Sequence, residues 1–194
     1  AFLQLGSLAQ LQMYGLASPS KHDILIEQGA IPIDYHQQDF AAVLREWEAG
    51  GLDFVFNGMA EAYIRRSMAV LRRGGALVQY GAPQSKKQFL IFLAQFFFYN
   101  LLPNGKKIKG YGTHRLGVDL FAEDWQELFR LLEGGQIKPL IDAKFPLREI
   151  VKANERLESG QVSGNIVVYT AHYQHYLSTY QLYQLSLVLL LELF

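Results

Sequence analysis

Two hydroxyls and an ammonium group stand close together in Ser18-Pro19-Ser20-Lys21, directly behind the apolar run 12–17 (QMYGLA). Such side chains donate hydrogen bonds to phosphate oxygens, and the lysine adds an opposing charge; a carboxylate in that place would repel the same group. Read alone, Lys21 is also an ordinary solvated lysine of a first helical turn. Tyr35, at the end of the next short run, reads equally as a strand-end aromatic. Two glycine pairs stand out further on: Asn57-Gly58 behind LDFVF and Gly81-Ala82 behind ALVQY. A glycine there lets a ligand approach the main chain. Singly each is a turn, but both lie at the carboxyl end of an apolar run. Metal chemistry has little support: the chain holds no cysteine, and His172-x-x-His175 lacks a third ligand. No side chain reads as a catalytic acid.

The elements that must position these residues alternate. Short runs at 12–17, 31–35, 53–56, 76–80 and 107–111 predict strands, the second carrying a proline that favours an edge. Between them lie helical patterns. Ser20 suits the N-cap of the first, with Asp23 in a capping-box-like position and Gly29 at its end. Asp39 caps a second, with Phe40, Val43, Leu44 and Trp47 on one face. Residues 61–71 predict a third, with Arg65, Arg66, Arg72 and Arg73 toward solvent and Gly74-Gly75 as the return. Beyond Pro103 the patterns predict a helix over 123–133, a turn at Phe145-Pro146, a helix over 148–158 and a last strand over Asn165–Tyr169. Alternation of this kind predicts an α/β fold, a doubly wound and mainly parallel sheet, with 12–17, 53–56, 76–80 and 107–111 as neighbours in it. The pattern enters that fold one strand and one glycine loop late, since residues 1–6 already read as helix interior. GYGTHR at 110–115 imitates the missing loop, but its sixth residue is Arg and no helix opens behind it.

Composition narrows the partners. Lys+Arg 18 balance Asp+Glu 18, so nothing favours nucleic acid as the main partner. Residues 89–102 (FLIFLAQFFFYNLL) are apolar almost all round, yet a membrane span needs about 20 such residues. Residues 185–194 are shorter and carry Glu192. We therefore expect no membrane partner, and with no cysteine a reducing, cytoplasmic location. Phe96, Phe97 and Phe98 cannot all face one core, because each helical step turns the direction by about 100°. At least one must point elsewhere.

Five segments carry a resemblance: YGLASPSK (14–21), GAIPIDY (29–35), LDFVFNG (52–58), LRRGGALVQYG (71–81) and 135–164. In order and spacing the chain resembles the medium-chain dehydrogenase/reductase superfamily, in its zinc-independent quinone oxidoreductase (zeta-crystallin-like) branch. The resemblance covers most of residues 1–170. It implies a Rossmann-like fold truncated at its first strand, and NADPH as cofactor for reduction of a quinone, enone or related conjugated carbonyl. It places a separate catalytic domain ahead of residue 1, Lys21 on the cofactor's phosphate and Tyr35 beside its adenosine. NAD-preferring folds carry Asp or Glu at the end of the second strand; Ser18, Ser20 and Lys21 stand there instead. The expected cofactor-binding set is Ser18, Ser20, Lys21, Tyr35, Asn57, Gly58, Gly81 and Ala82, with no metal. Asn165 departs from the family, which commonly has Lys at that position. The resemblance also implies a homodimer through residues 89–111. The expected divisions are an incomplete dinucleotide-binding domain (1–136), a return to the catalytic domain (137–170) and an atypical tail (171–194). As a fragment the chain is expected to bind NADPH poorly; a non-catalytic nucleotide-binding or dimerisation remnant is the other reading.

Overall fold

The computed structural model describes residues 2–59, 63–80, 83, 85–110 and 122–170. In chain order the elements are α1 (Phe2–Leu8), β1 (Met13–Ala17), α2 (His22–Glu27), β2 (Ala30–Asp34), α3 (Phe40–Trp47) and β3 (Leu52–Asn57). There follow α4 (Ile64–Val70), β4 (Leu71–Gln79), α5 (Lys86–Leu101), β5 (Lys107–Gly110) and α6 (Ala122–Glu133). β6 (Ile141–Pro146), α7 (Ile150–Glu158) and β7 (Asn165–Tyr169) complete the order. Every ladder is parallel, as an α/β fold requires: β1 with β2, β3 with β4, β4 with β5, and β6 with β7.

The chain divides into two units. The first holds α1, β1, α2 and β2 together with α6, β6, α7 and β7. Gln4 ties its early and late segments, donating through Nε2 to the Lys138 carbonyl at 2.8 Å and accepting the Lys138 N–H at 2.9 Å. The second unit runs from α3 to β5. Its core is Ile64, Met68, Leu71, Leu77 and Ile108, with Leu52, Val55, Phe92, Phe96 and Tyr99 packed around them. Helices α4 and α5 therefore cover the sheet face that carries Val55, Leu77 and Ile108. Phe54 and Phe56, one step out of phase on β3, stay exposed.

Four expectations are corrected. Residues 12–17 do not join the sheet of 53–56, 76–80 and 107–111: β1 pairs with β2 in a two-stranded sheet, and β3-β4-β5 form a separate three-stranded one. A strand joins a sheet only through a hydrogen-bonded neighbour about 4.8 Å away, and no described strand is bonded to both β1 and β3. Ser20 is not an N-cap; a 3₁₀ turn over Pro19–Lys21 comes first, and Lys21 precedes α2 without a side-chain cap. Pro19, with its fixed φ, starts the helical path early. The third helix stops at Val70, so Arg72 and Arg73 belong to a strand. Leu71 already pairs with Leu52, and the Arg72 guanidinium bonds the Asp53 carboxylate. Phe145-Pro146 is the end of β6, paired with Val168 and Tyr169, rather than a turn.

Other expectations hold. Asp39 accepts the Ala41 N–H at 3.0 Å. Among the three phenylalanines Phe96 packs on the core, while Phe97 and Phe98 are exposed. The dinucleotide-like segment beyond Gly110 and the tail 171–194 lie outside the described residues.

Candidate cofactor site

In the first unit, β1 delivers its carboxyl end to Ser18. The His22 ring lies 3.1 Å from the Ala17 carbonyl and closes the short loop between them. Within it the Ser18 and Ser20 hydroxyls stand 3.2 Å apart. Two hydroxyls that close, beside Lys21, can converge on the oxygens of one phosphate. A carboxylate does come near: the charge of Lys21 reaches Asp142 on β6. That carboxylate is already engaged, accepting from Arg156 Nε at 2.9 Å, Arg156 Nη2 at 3.1 Å and the Ser163 N–H at 3.0 Å. These bonds, the arginine's first, hold its carboxyl below the usual range. Arg156 bonds Asp142 directly, whereas the Lys21 ammonium acts on that carboxylate only through its charge. The fit to a phosphorylated nucleotide is therefore chemical: donors and a cation, with no acid placed in the loop.

In the second unit, Tyr35 is partly exposed and its ring centroid lies 4.1 Å from that of His36. Asn57 and Gly58 stand at the carboxyl end of β3, beside the carboxyl end of β4. Asn57 is buried and so is Gln79, a residue that sequence reasoning passed over. Asn57 Nδ2 donates to Gln79 Oε1 at 2.8 Å, and Gln79 Nε2 donates to the Met59 carbonyl at 3.0 Å. The Met59 N–H returns to Asn57 Oδ1 at 2.9 Å. Tyr80 was missed as well. Its ring lies over Gly58, so that a Cβ on Gly58 would stand 2.6 Å from ring atoms; burial pushes its phenol above the usual pKa. The signal for Gln79 was a polar residue in the apolar run ALVQY, on the inward phase of Leu77. Gly81 and Ala82 lie outside the described residues. Asn165, the family departure, bonds the Leu140 carbonyl through its main-chain N–H at 2.8 Å and its Nδ2 at 3.2 Å.

Helix α5 shows Phe89, Leu90, Phe97, Phe98 and Leu101 to solvent. Beside it, the Asn100 side chain accepts the Ile108 N–H at 3.2 Å and donates to the Ile108 carbonyl at 3.1 Å, so the middle of β5 is occupied on its outer side.

Residues 28–168 match the family described as zinc-binding dehydrogenase. The chain belongs to this family, within the medium-chain dehydrogenase/reductase superfamily. Among relatives, the synaptic vesicle membrane protein VAT-1 of Tetronarce californica is 27% identical over 76% of this chain and 42% of its own length. A 2-haloacrylate reductase of Burkholderia sp is 27% identical over 70% and 40%. The chain thus spans less than half the length of these relatives. Solved structures agree on the fold. The CurK enoyl reductase superposes with a TM-score of 0.69 at 24% identity, covering 87% of this chain and 50% of that one. A quinone oxidoreductase from Coxiella burnetii gives 0.66 at 22%, covering 86% and 47%. A mycobacterial protein solved with NADPH gives 0.67 at 20%, covering 86% and 51%. For zinc, which the family's description names, the chain has no cysteine to offer, and among the described residues no group of three or more His, Asp or Glu converges.

Proposed function

We propose that this chain is the nucleotide-binding part of an NADPH-dependent oxidoreductase that reduces quinones, enones or related conjugated carbonyls. One observation carries the cofactor choice: Ser18, Ser20 and Lys21 follow β1 where an NAD-preferring fold carries a carboxylate. Relatives and structural neighbours named as reductases and a quinone oxidoreductase support the reaction class. NADPH, when bound, supplies a hydride for the electron-poor carbon of the substrate. The residues of this chain bind and orient it. Ser18, Ser20 and Lys21 hold the 2′-phosphate, and Tyr35 lies beside the adenosine. Asn57 and Gly58, at the carboxyl end of β3, lie along the cofactor; Gly81 and Ala82, outside the described residues, belong to the same proposed set. The same proposal puts the protein in the cytoplasm without nucleic acid or membrane partner, in keeping with a chain that has no cysteine and in which Lys+Arg 18 balance Asp+Glu 18.

Lys21→Glu tests the reading in the complete natural protein. Losing a charge-assisted phosphate contact costs about 1.5–3 kcal/mol, so the NADPH/NADH ratio of kcat/KM should fall by about 10- to 150-fold. An unchanged ratio refutes the assignment of Lys21. A protein that binds NADPH but reduces no quinone or enone is the non-catalytic nucleotide-binding remnant instead.

The homodimer belongs to the same proposal, through residues 89–111, with the apolar surface of α5 as its main contact. Asn100 would have to release Ile108 before a second β5 could pair along that edge. Phe97→Asp should give a monomer in light scattering at micromolar concentration. Ile108 is unsuitable for this test, because it is 2% exposed in the core and a charge there would unfold the unit. A dimer that survives both Phe97→Asp and Phe98→Asp excludes this surface.

A further inference from the structure

The side chains of Asn57 and Gln79 form a closed circuit with the main chain of Met59, and its polarity admits no alternative. The Met59 N–H can only donate, so it fixes Oδ1 of Asn57 as the acceptor at 2.9 Å. Nδ2 of Asn57 must then face Oε1 of Gln79, at 2.8 Å, and Nε2 of Gln79 must face the Met59 carbonyl, at 3.0 Å. Asn57 and Gln79 are directly paired across the parallel ladder. Their main chains join as well, the Tyr80 N–H donating to the Asn57 carbonyl at 3.1 Å. Both amides are buried, 5% and 7% exposed, so their polar groups exchange water for hydrogen bonds within the protein. An apolar pair of the same shape would serve the core equally well and spare that desolvation. What the polar pair adds is a fixed path for residues 57–59, with the Tyr80 ring laid on Gly58. That path runs at the carboxyl ends of two adjacent parallel strands, the edge where open α/β sheets receive ligands.

We propose that Asn57 and Gln79 are positioning residues for the cofactor: their amide pair holds the 57–59 turn, and Tyr80 against it, in the shape that receives NADPH. This rests on the reading of that edge as the cofactor edge. Neither side chain need touch the cofactor; each acts through the main chain of Met59 and the Gly58–Tyr80 surface.

Gln79→Glu separates positioning from stability. A protonated glutamic acid reproduces the circuit, accepting from Asn57 and donating to the Met59 carbonyl. The ionised form sets an anion against that carbonyl in a buried place, which raises the pKa of the new acid. NADPH affinity of Gln79→Glu should therefore match the parent at low pH and fall as pH rises through that pKa. The phenol of Tyr80, itself pushed upward by burial, keeps its proton between pH 5 and 8 and adds no titration of its own. Gln79→Leu, which cannot hold the Met59 carbonyl, should bind about tenfold or more weakly at every pH, as when a group that orients a site's contacts is lost. The assay is NADPH fluorescence titration of the complete natural protein from pH 5 to pH 8, with urea unfolding alongside to confirm that each variant is folded. If the parent binds and folded Gln79→Leu binds equally well, the positioning role is refuted and the cofactor reading stands. A Gln79→Glu affinity whose ratio to the parent's does not change with pH refutes it too, the ratio cancelling the titration of the cofactor's own phosphate. If the folded parent binds neither NADPH nor NADH, the cofactor reading fails and this proposal falls with it.

Discussion

Leu77→Ala should be the most damaging single truncation in the β3-β4-β5 sheet. Leu77 is fully buried and packs among Ile64, Met68, Leu71 and Ile108. The substitution removes three carbons, worth roughly 2.4 kcal/mol at about 0.8 kcal/mol per buried methylene. A void of about 50 Å³ left by incomplete relaxation adds roughly 1 kcal/mol at about 24 cal/mol per Å³. The expected loss is therefore about 3–4 kcal/mol, within the spread known for buried leucines. Phe54→Ala, on the same sheet but the other face, is the matched control: its side chain is 59% exposed, and its loss should stay below about 1 kcal/mol. The chain has only two tryptophans, Trp47 on α3 in this unit and Trp125 on α6 in the other. A Trp125→Phe background leaves Trp47 as a local reporter of the right unit. With a urea slope of about 1–3 kcal/mol per molar, Leu77→Ala should lower the midpoint by about 1–4 M. If Leu77→Ala costs no more than Phe54→Ala at equal slope, the core does not sit on the α4/α5 face of this sheet.

Asp142 predicts an acid-sensitive contribution to stability. Its folded pKa is lowered, first by Arg156, so its contribution is full above the unfolded carboxylate pKa and is lost as pH falls through the lower, folded one. The urea-midpoint gap between the parent and Asp142→Asn, followed through Trp125, should therefore close on acidification; a gap independent of pH would refute the pairing. Gly51→Ala should destabilise by more than about 1 kcal/mol. Gly51 has φ +79°, and a Cβ there would stand 2.7 Å from the Arg72 main-chain nitrogen. A melting temperature unchanged in Gly51→Ala would show that the α3-β3 turn takes another path.

Much of this fold is legible in one dimension because its causes are local. Asp39 before Phe40 is a cap wherever the chain goes, since the bond spans two residues. Apolar runs name β3 and β7 almost to the residue, because a strand buried on one or both faces needs such a run, and β5 follows from Ile108 alternating with Lys107 and Lys109. The errors fall where distant residues decide. Nothing near Leu71 announces that it leaves helix α4 for a strand; Leu52 does, across the ladder. Proline 146 reads as a turn until Tyr169 is placed opposite it. Ser20 is no cap for a local reason: Pro19 opens a 3₁₀ turn behind Ser18 and draws Ser20 into it.

The candidate site divides along the same line. Residue type alone determined the chemistry of Ser18, Ser20 and Lys21: two hydroxyls and a cation favour a phosphate in any fold that gathers them. The alternation of runs likewise determined an α/β chain with parallel ladders. Only tertiary structure decided that Asp142 pairs with Arg156 within reach of the charge of Lys21, because those three come together from separate elements. It also decided which strands pair among the described residues, β1 with β2 and β3 with β4, since pairing depends on which strands lie side by side. The circuit of Asn57, Gln79 and Met59 is of the same kind. Twenty-two residues separate the two amides, and a hydrogen bond between them exists only once the parallel ladder has brought them within reach.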